Sequence, residues 1–169
     1  CSPTRSSILT GRHGFRTGVL SAVPPENAIP MGETSLHALL AARASYNSAL
    51  IGKWHLSGSS NGDADSPARL GIDHYAGLLT GSHQSYHTVR LTQNGVGSTV
   101  NQYATTLFTD LALSWLEDQA SPWFLWLAYT APHAPFHLPP DSLHYSQGLS
   151  DDPAAIDADP LSYYLAMLE

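Results

Sequence analysis

A continuous apolar run at residues 124–129, FLWLAY, constrains the fold of this chain more than any other feature. The run has the length of one strand and lacks the polar alternation of a strand with a solvated face. It therefore predicts a strand that is buried on both faces. Such strands occur where helices cover both sides of a mainly parallel sheet, so the run favours an α/β fold.

Helical periodicity appears on both sides of this run. The clearest helix is predicted at 105–119, where apolar residues recur at helical spacing. These residues are Phe108, Leu111, Ala112, Trp115 and Leu116. A second helix is predicted at 35–44, with Leu36, Leu39 and Leu40 on one face, and another begins at Pro160.

Two further strands are predicted, at 46–51 and at 86–92, and the second runs into the turn pair Asn94-Gly95. Polar stretches at 57–66 and 151–159 read as loops. This alternation predicts a layered αβα fold with a largely parallel central sheet, incomplete in this chain. Ligands of such sheets bind beyond the carboxyl ends of the strands, and charged and histidine residues follow the apolar runs here.

The amino-terminal segment, CSPTRSSILTGR, predicts a short helix with Cys1 at its mouth. Ser2 suits the N-cap, Pro3 the first helical position and Gly11 the C-terminal cap, while Ile8 and Leu9 supply an apolar face. A helix N-terminus favours an anion, since its dipole and free N–H groups face the ligand. The alternative is a capped surface helix with an incidental cysteine.

Charge and composition exclude several classes of partner. The net charge is −7 with one lysine and six arginines, and the absence of a basic run argues against a nucleic-acid surface. A single cysteine excludes an internal disulfide framework, and no apolar stretch approaches the length of a membrane span. Because the chain starts at Cys1 and its last helix has no cap, we expect an internal fragment of a longer protein.

Two more segments carry candidate functional residues. Residues 45–55, SYNSALIGKWH, place an apolar strand before Lys53, the only lysine, and before His55. Residues 132–135, PHAP, place His133 directly after the buried run. Taken singly, each has an ordinary explanation: a solvated lysine, a surface histidine, or a rigid turn between two prolines.

In this order, the three segments resemble the signatures of the sulfatase family, the formylglycine-dependent type I enzymes of the alkaline phosphatase superfamily. The resemblance covers residues 1 to about 140. It departs at Ser45, where the family usually has glycine, and this position belongs to a turn before the strand. The resemblance implies that residues 1–169 are part of a single sulfatase catalytic domain, truncated at both ends.

The resemblance also implies roles for the residues that match the motifs. Cys1 is oxidised to formylglycine, whose hydrate attacks sulfur, and Arg5 fixes that diol. Lys53 binds sulfate as a point charge. His133 contacts sulfate and donates to the leaving oxygen, while His55 helps to deprotonate the second hydroxyl so that sulfate is expelled. The maturation partner is a formylglycine-generating or anaerobic sulfatase-maturating enzyme.

Residues outside the three segments also receive assignments. Ser82 and His83 fall in a region where family members bring a polar residue toward sulfate or substrate. Arg12 and His13 are expected to brace the first helix, and Trp54 to contribute packing. Four further histidines are expected in loops on the substrate cleft; these are His74, His87, His137 and His144.

Family members complete their site with a divalent cation, usually Ca²⁺, with Mg²⁺ or another ion as the alternative. Only modified Cys1 would ligate it here, because the family's acidic ligands are expected outside this chain. Asp151-Asp152 resembles an adjacent acidic pair but is expected in a solvated loop. We therefore expect the chain alone to be inactive. The compartment is unknown from these residues, although family members are usually exported, whether periplasmic, secreted or lysosomal.

Three functions remain open at this stage. The first is hydrolysis of aryl or carbohydrate sulfate esters. The second is hydrolysis of phosphonate or phosphate monoesters, because relatives in the superfamily share the fold and even formylglycine. The third is a pseudo-sulfatase that binds glycans without turnover, and the complete set of Cys1, Arg5, Lys53, His55 and His133 argues against it.

Overall fold

The computed structural model describes residues 1–120 and 122–169. Within these residues a five-stranded sheet has the order β4-β3-β2-β1-β5. Its strands are β1 Asn47–Lys53, β2 His74–Leu78, β3 Val89–Gln93, β4 Val96–Val100 and β5 Trp123–Ala128. Strand β1 runs parallel to β2 and β5, whereas β3 is antiparallel to β2 and β4. The expected parallel centre is confirmed, with an antiparallel hairpin at one edge.

Seven helices accompany the sheet in this part of the chain. They are α1 Ser2–Thr10, α2 Gly14–Thr17, α3 Leu36–Ala44, α4 Ser66–Arg69, α5 Ala104–Glu117, α6 Pro153–Ala158 and α7 Pro160–Ala166. Short 3-10 turns occupy Ser59–Asn61, Asp63–Asp65 and Asp141–Leu143. None of the helices among the described residues combines the length and apolar character needed to cross a membrane.

Two hydrophobic cores cover opposite faces of the sheet, which confirms the layered αβα arrangement. Ala49 and Ile51 of β1 pack with Phe108 of α5 on one face. Leu50, between them in sequence, packs with Leu9 of α1 on the other face. Successive side chains of a strand point to opposite faces, so a central strand needs apolar residues at every position.

The strand predictions are confirmed in part. The strand expected at 46–51 forms as β1 and continues to Lys53, while the one expected at 86–92 begins only at Val89. The Asn94-Gly95 turn forms with positive φ at both residues, as a two-residue hairpin requires. Strand β2 was missed, and the expectation of His74 in a loop is wrong, because His74 is the first residue of that strand.

The predicted burial of the apolar run is wrong in degree. Only Ala128 of β5 is buried, and residues 124–127 are half-buried. The reason is topological, since among the described residues β5 pairs with β1 alone and lies at the edge of the sheet.

Helix α3 forms where it was expected, with Ser35 accepting a hydrogen bond from the Ala38 amide as its N-cap. The predicted apolar face is wrong, because Leu36 and Leu39 are exposed and the buried residue is His37. The ring of His37 fits between α3 and the sheet, where it meets Phe124 edge-on at 5.0 Å between centroids.

Three local predictions also need correction. The N-cap of α1 is Cys1 and not Ser2, because Ser2 is already helical and its hydroxyl donates a hydrogen bond to the carbonyl of His55. Gly11 caps the other end of the helix, as expected. Ile8 is exposed although Leu9 is buried. The stretch 151–159 is not a loop throughout, since Asp152 accepts from the Ala154 amide and starts α6. The stretch 57–66 contains two 3-10 turns.

Candidate active site

The carboxyl ends of the three parallel strands meet at one edge of the sheet. Lys53 pairs with Leu78 at the ends of β1 and β2, and Gly52 pairs with Ala128 at the end of β5. The candidate residues follow these ends: Lys53 and His55 at β1, Ser82 and His83 after β2, and His133 after β5. Four separate stretches of sequence, including α1, therefore meet at the carboxyl ends of the parallel strands.

The end of β1 depends on a glycine. Gly52 has φ of 110°, and a Cβ at this position would collide with the backbone carbonyl of Ala128. The carbonyl of Gly52 is in turn approached closely by Gly77 of β2. Only glycine allows this close approach at such a φ, and the resulting backbone sets the direction of Lys53.

Helix α1 presents Cys1 to Lys53. The ammonium Nζ of Lys53 lies 3.3 Å from Sγ of Cys1. Cys1 is exposed at the N-cap of α1, whereas Lys53 is only 4% exposed. A positive group and a helix N-terminus thus converge on one exposed side chain, as in an anion-binding site.

Arg5 ties α1 to the end of β1. Its Nε donates to the carbonyl of Trp54 at 2.8 Å, and its Nη2 donates to the carbonyl of Lys53. The guanidinium also lies 5.0 Å from the ring centroid of Trp126 on β5. These contacts hold Cys1 and Lys53 together, and the expected bond from Arg5 to the diol stays a prediction.

His55 is held in an unusual backbone conformation. Its φ is 59°, and its carbonyl accepts a hydrogen bond from the Ser2 hydroxyl at 2.7 Å. The imidazole packs so closely on Gly81 that a Cβ there would meet the ring. Nδ1 is buried without a hydrogen-bond partner among the described residues, and the ring lines a cavity of about 360 Å³. A neutral imidazole in this place can accept a proton.

Burial lowers the pKa values of Lys53, His55 and Arg5, and repulsion between neighbouring positive charges adds to the effect at Lys53 and His55. Burial lowers the pKa of Lys53 to about 8, and the nearby positive charge of Arg5 adds to the effect. Burial, followed by the charge of Lys53, lowers the pKa of His55 to about 4. Burial lowers the pKa of Arg5 to about 10. Near pH 7 the site thus carries two cations beside a neutral histidine.

His83 lies below the surface at the end of β2, and Ser82 beside it is exposed. Nε2 of His83 is 2.9 Å from the Thr130 hydroxyl in the segment after β5. Burial lowers the pKa of His83 to about 4, and the charges of His137 and Lys53 act in the same direction. The His83 segment is therefore packed against the segment that carries His133.

A cavity of about 500 Å³ opens beside His83. Five hydroxyl groups line it, from Thr80, Ser82, Ser85, Thr88 and Thr99. Its lining includes one charged side chain, Arg90, which makes no ion pair among the described residues. Thr80 also lines the cavity that holds His55.

His133 has an exposed side chain on a fixed backbone. Its N–H donates to the carbonyl of Thr130 at 2.9 Å, and its carbonyl accepts from the Tyr86 hydroxyl at 2.7 Å. Nδ1 lies 2.7 Å from the carbonyl of Ala134, which can only accept. The proton is therefore on Nδ1, and Nε2 points away from this bond. Within the described residues, His133 makes no hydrogen bond to Cys1 or Lys53.

None of the remaining candidates forms a hydrogen bond to Cys1 among the described residues. Arg12 pairs with Glu33 at 2.6 Å, and His13 stacks on Phe15. Trp54 is fully buried, as expected of a packing residue. The loop positions expected for His87, His137 and His144 are confirmed.

The sequence did not identify Tyr86 as part of this site. Its hydroxyl reaches the backbone of His133, which is 47 positions away in the chain. Thr130 was missed for the same reason, since its partner His83 is equally distant in sequence. Residue type and local spacing carry no signal for such pairs, which depend on how β2 and β5 flank β1.

The donors around Cys1 suit an anion better than a metal ion. Among the described residues, no group of three or more histidine, cysteine or acidic side chains could hold a metal. The side chain in contact with Sγ of Cys1 is the cation Lys53. Asp151 and Asp152 are exposed, and Asp152 caps α6. A calcium ion takes about six to eight oxygen ligands, so these residues alone do not fit one.

Comparisons with known proteins agree with one another. The sulfatase family model matches residues 1–169. The chain is 30% identical over 169 residues to the uncharacterized sulfatase YdeN of Escherichia coli (strain K12), covering 86% of this chain and 30% of the relative. It is 42% identical over 80 residues to Arylsulfatase G of Rattus norvegicus, covering 46% of this chain and 14% of the relative.

A similar solved structure holds D-glucosamine-2-N,6-O-disulfate as its substrate. It matches with a TM-score of 0.68 and 27% identity, over 84% of this chain and 27% of the other. The chain thus spans less than a third of the length of each of these three relatives.

Proposed function

The chain belongs to the sulfatase family, and we propose that the protein containing it hydrolyses sulfate monoesters at the site built around Cys1. The observation that carries this proposal is the 3.3 Å approach of Lys53 Nζ to Cys1 Sγ at the N-terminus of α1. A sulfate group is a compact anion. The place beside residue 1 combines an ammonium charge with the N-terminal end of a helix, both of which favour an anion.

Residue 1 is proposed as the nucleophile after its conversion to formylglycine. The hydrated aldehyde would supply an oxygen that attacks sulfur and can later release sulfate. Lys53 binds the non-bridging oxygens and offsets the charge that develops on them. Arg5 acts by holding α1 on the end of β1, through its bonds to the carbonyls of Lys53 and Trp54.

His55 and His133 are proposed to move the protons. The low pKa of His55 leaves it neutral near pH 7, so its ring can accept the proton that must leave residue 1. His133 has its Nδ1 proton engaged by the Ala134 carbonyl, which leaves Nε2 to face the ester. When protonated, Nε2 donates to the departing oxygen and prevents a free alkoxide from forming.

A divalent cation, Ca²⁺ or a similar ion, is expected from the family. Such an ion would withdraw charge from the sulfate oxygens. The described residues do not fit it by themselves, and no step above depends on it. The cationic contact of Lys53 with residue 1 supports sulfate binding independently of any metal.

The substrate class that the cavity supports best is a carbohydrate sulfate. The cavity beside His83 is lined by hydroxyl groups, which can exchange hydrogen bonds with sugar hydroxyls. Arg90 would accept a second anionic group on the same saccharide. A solved relative carries a disulfated glucosamine, which fits this proposal. Thr80, Ser85 and Thr88 already have hydrogen-bond partners within the protein, so the hydroxyls of Ser82 and Thr99 are the ones proposed to bind the sugar.

We also expect an encounter with a formylglycine-generating or anaerobic sulfatase-maturating enzyme. The exposed position of Cys1 supports access by such an enzyme. Activity outside the cytosol, in a periplasmic, secreted or lysosomal location, is a further expectation from family membership.

The experiment that tests the function uses full-length protein from a host that matures other sulfatases. Turnover of an aryl sulfate, a sulfated hexosamine and an aryl phosphonate is compared, with Cys1→Ala as the inactive control. Faster turnover of sulfates than of the phosphonate supports the proposal. Preference for the phosphonate would favour the other hydrolase function, and glycan binding without turnover would favour a pseudo-sulfatase.

A further inference from the structure

We propose that Tyr86 is a positioning residue that fixes the backbone of His133 and thereby aims its imidazole at the leaving group. This inference rests on the proposed function, because it concerns the acid step assigned to His133. The hydroxyl of Tyr86 donates to the His133 carbonyl at 2.7 Å. Tyr86 is only 1% exposed, so its side chain is shielded from bulk solvent.

The Tyr86 ring is itself fixed by two histidines from different segments. The imidazole of His137 stacks on it with 4.3 Å between ring centroids, and the ring of His83 lies 4.7 Å away. A ring packed against two neighbouring rings has few rotamers to choose from, so its hydroxyl has a defined direction.

The backbone N–H of His133 is also fixed by a hydrogen bond. The N–H of His133 donates to the Thr130 carbonyl, and the Thr130 hydroxyl is bound by His83 Nε2. Both backbone polar groups of His133 are therefore hydrogen-bonded, although its side chain is exposed. The placement of the imidazole thus depends on backbone hydrogen bonds more than on packing.

A proton donor loses its effect when it is slightly displaced. Loss of the Tyr86 hydroxyl would free the His133 carbonyl without opening a cavity, since phenylalanine keeps the ring. Transition-state contacts are sensitive to displacements of about 1 Å, which can cost up to about 100-fold in rate. The cost should appear where acid assistance is needed, namely on esters with a poor leaving group.

The test compares Tyr86→Phe with Tyr103→Phe in the full-length matured enzyme. Tyr103 is the matched control, because it is buried in the same cluster and donates to His137 Nε2 at 3.0 Å instead of to His133. Each variant is assayed on 4-nitrophenyl sulfate, a good leaving group, and on a sugar sulfate, a poor one. Thermal unfolding is followed in parallel, and His133→Ala is made alone and combined with each variant.

We expect Tyr86→Phe to lower kcat on the sugar sulfate by about tenfold, with a much smaller effect on 4-nitrophenyl sulfate and on KM. The deficit should disappear in the His133→Ala background. Equal, substrate-independent losses for Tyr86→Phe and Tyr103→Phe would overturn the inference and leave the proposed function intact. Unchanged turnover in His133→Ala would instead remove His133 from the mechanism, and the inference would fail with that assignment.

Discussion

Lys53 Nζ lies 3.3 Å from Cys1 Sγ, and these two residues come from elements 52 positions apart in sequence. Lys53 ends a buried parallel strand, while Cys1 begins a helix on one face of the sheet. Their contact is maintained by Arg5, which belongs to that helix and binds the carbonyl of Lys53 itself. The side chains that we propose as nucleophile and as sulfate-binding charge are thus held together by the same contacts.

Replacement of Lys53 by methionine should abolish most of the sulfatase activity. Methionine keeps the length and apolar stem of lysine but removes the charge that faces sulfate. We expect kcat/KM for an aryl sulfate to fall by about 100-fold or more. Thermal stability should hold or rise, because burial of an ammonium group is unfavourable. Activity within threefold of the wild type would show that this charge does not act on the substrate.

Gly52→Ala should destabilise the fold severely. The new Cβ would collide with the Ala128 backbone at a φ of 110°, so β1 and β5 must separate. We expect a loss of about 3 kcal/mol or more in the free energy of unfolding, measured by urea denaturation. The matched control is Gly97→Ala on β4, where a Cβ meets nothing within 4 Å. Equal effects of the two changes would contradict the close strand contact.

Acidification should destabilise the protein before its carboxylates titrate. Burial is the largest cause that lowers the pKa of His37, and it lowers those of His55 and His83 to about 4. Their unfolded pKa is about 6.5, so the unfolded state binds more protons as the pH falls from about 6.5 toward 4. Stability is therefore full above that range and declines within it, by at most about 1.4 kcal/mol per pH unit for each histidine.

The variant that isolates this effect is His37→Leu, because His37 is fully buried and its hydrogen bond goes to the Ala49 carbonyl instead of to Cys1, Lys53 or His55. The free energy of unfolding is measured between pH 5 and 7 for the wild type and the variant. Loss of one titrating group should make the pH dependence of the variant shallower. An identical slope in both proteins would mean that His37 does not take up a proton on unfolding.

Arg90→Ala should change substrate preference without changing the chemistry at Cys1. Arg90 lines the cavity beside His83 and carries no ion pair among the described residues. We expect KM for a disulfated saccharide to rise by about tenfold, equivalent to about 1.4 kcal/mol, with little change for a monosulfated aryl ester. Arg43→Ala, at an exposed position in the last turn of α3, controls for the change in net charge. Matching effects on both substrates would exclude a second anion site.

Much of this fold could be predicted from periodicity. Strand β1 and helix α5 were recognised because the sequence pattern of each agrees with its final burial. Strand β2 escaped notice because its five residues include His74 and Gly77, and neither residue indicates a strand by itself. The burial of His37 carried no signal in the sequence, since only the tertiary contact with β5 gives its ring a buried place.

The site residues that lie within recognisable sequence motifs could be predicted. Cys1, Lys53 and His55 lie in segments whose spacing resembles a known pattern, and the parallel strand ends bring the segments together. Tyr86 and Thr130 could not be found in this way. Their partners are distant in sequence, and any buried tyrosine or threonine would look the same in the primary structure.

The most direct test of the account is mass spectrometry of the tryptic peptide that contains Cys1, from full-length protein made in its native host. Conversion of the thiol to an aldehyde replaces sulfur and two hydrogens with one oxygen, which lowers the peptide mass by about 18 Da. We expect this loss. The hydrate regains the mass of one water and so nearly matches unmodified cysteine, and the peptide is therefore treated first with iodoacetamide, which alkylates only the thiol. An unmodified cysteine, in a host that matures other sulfatases, would contradict the assignment of residue 1 as the nucleophile.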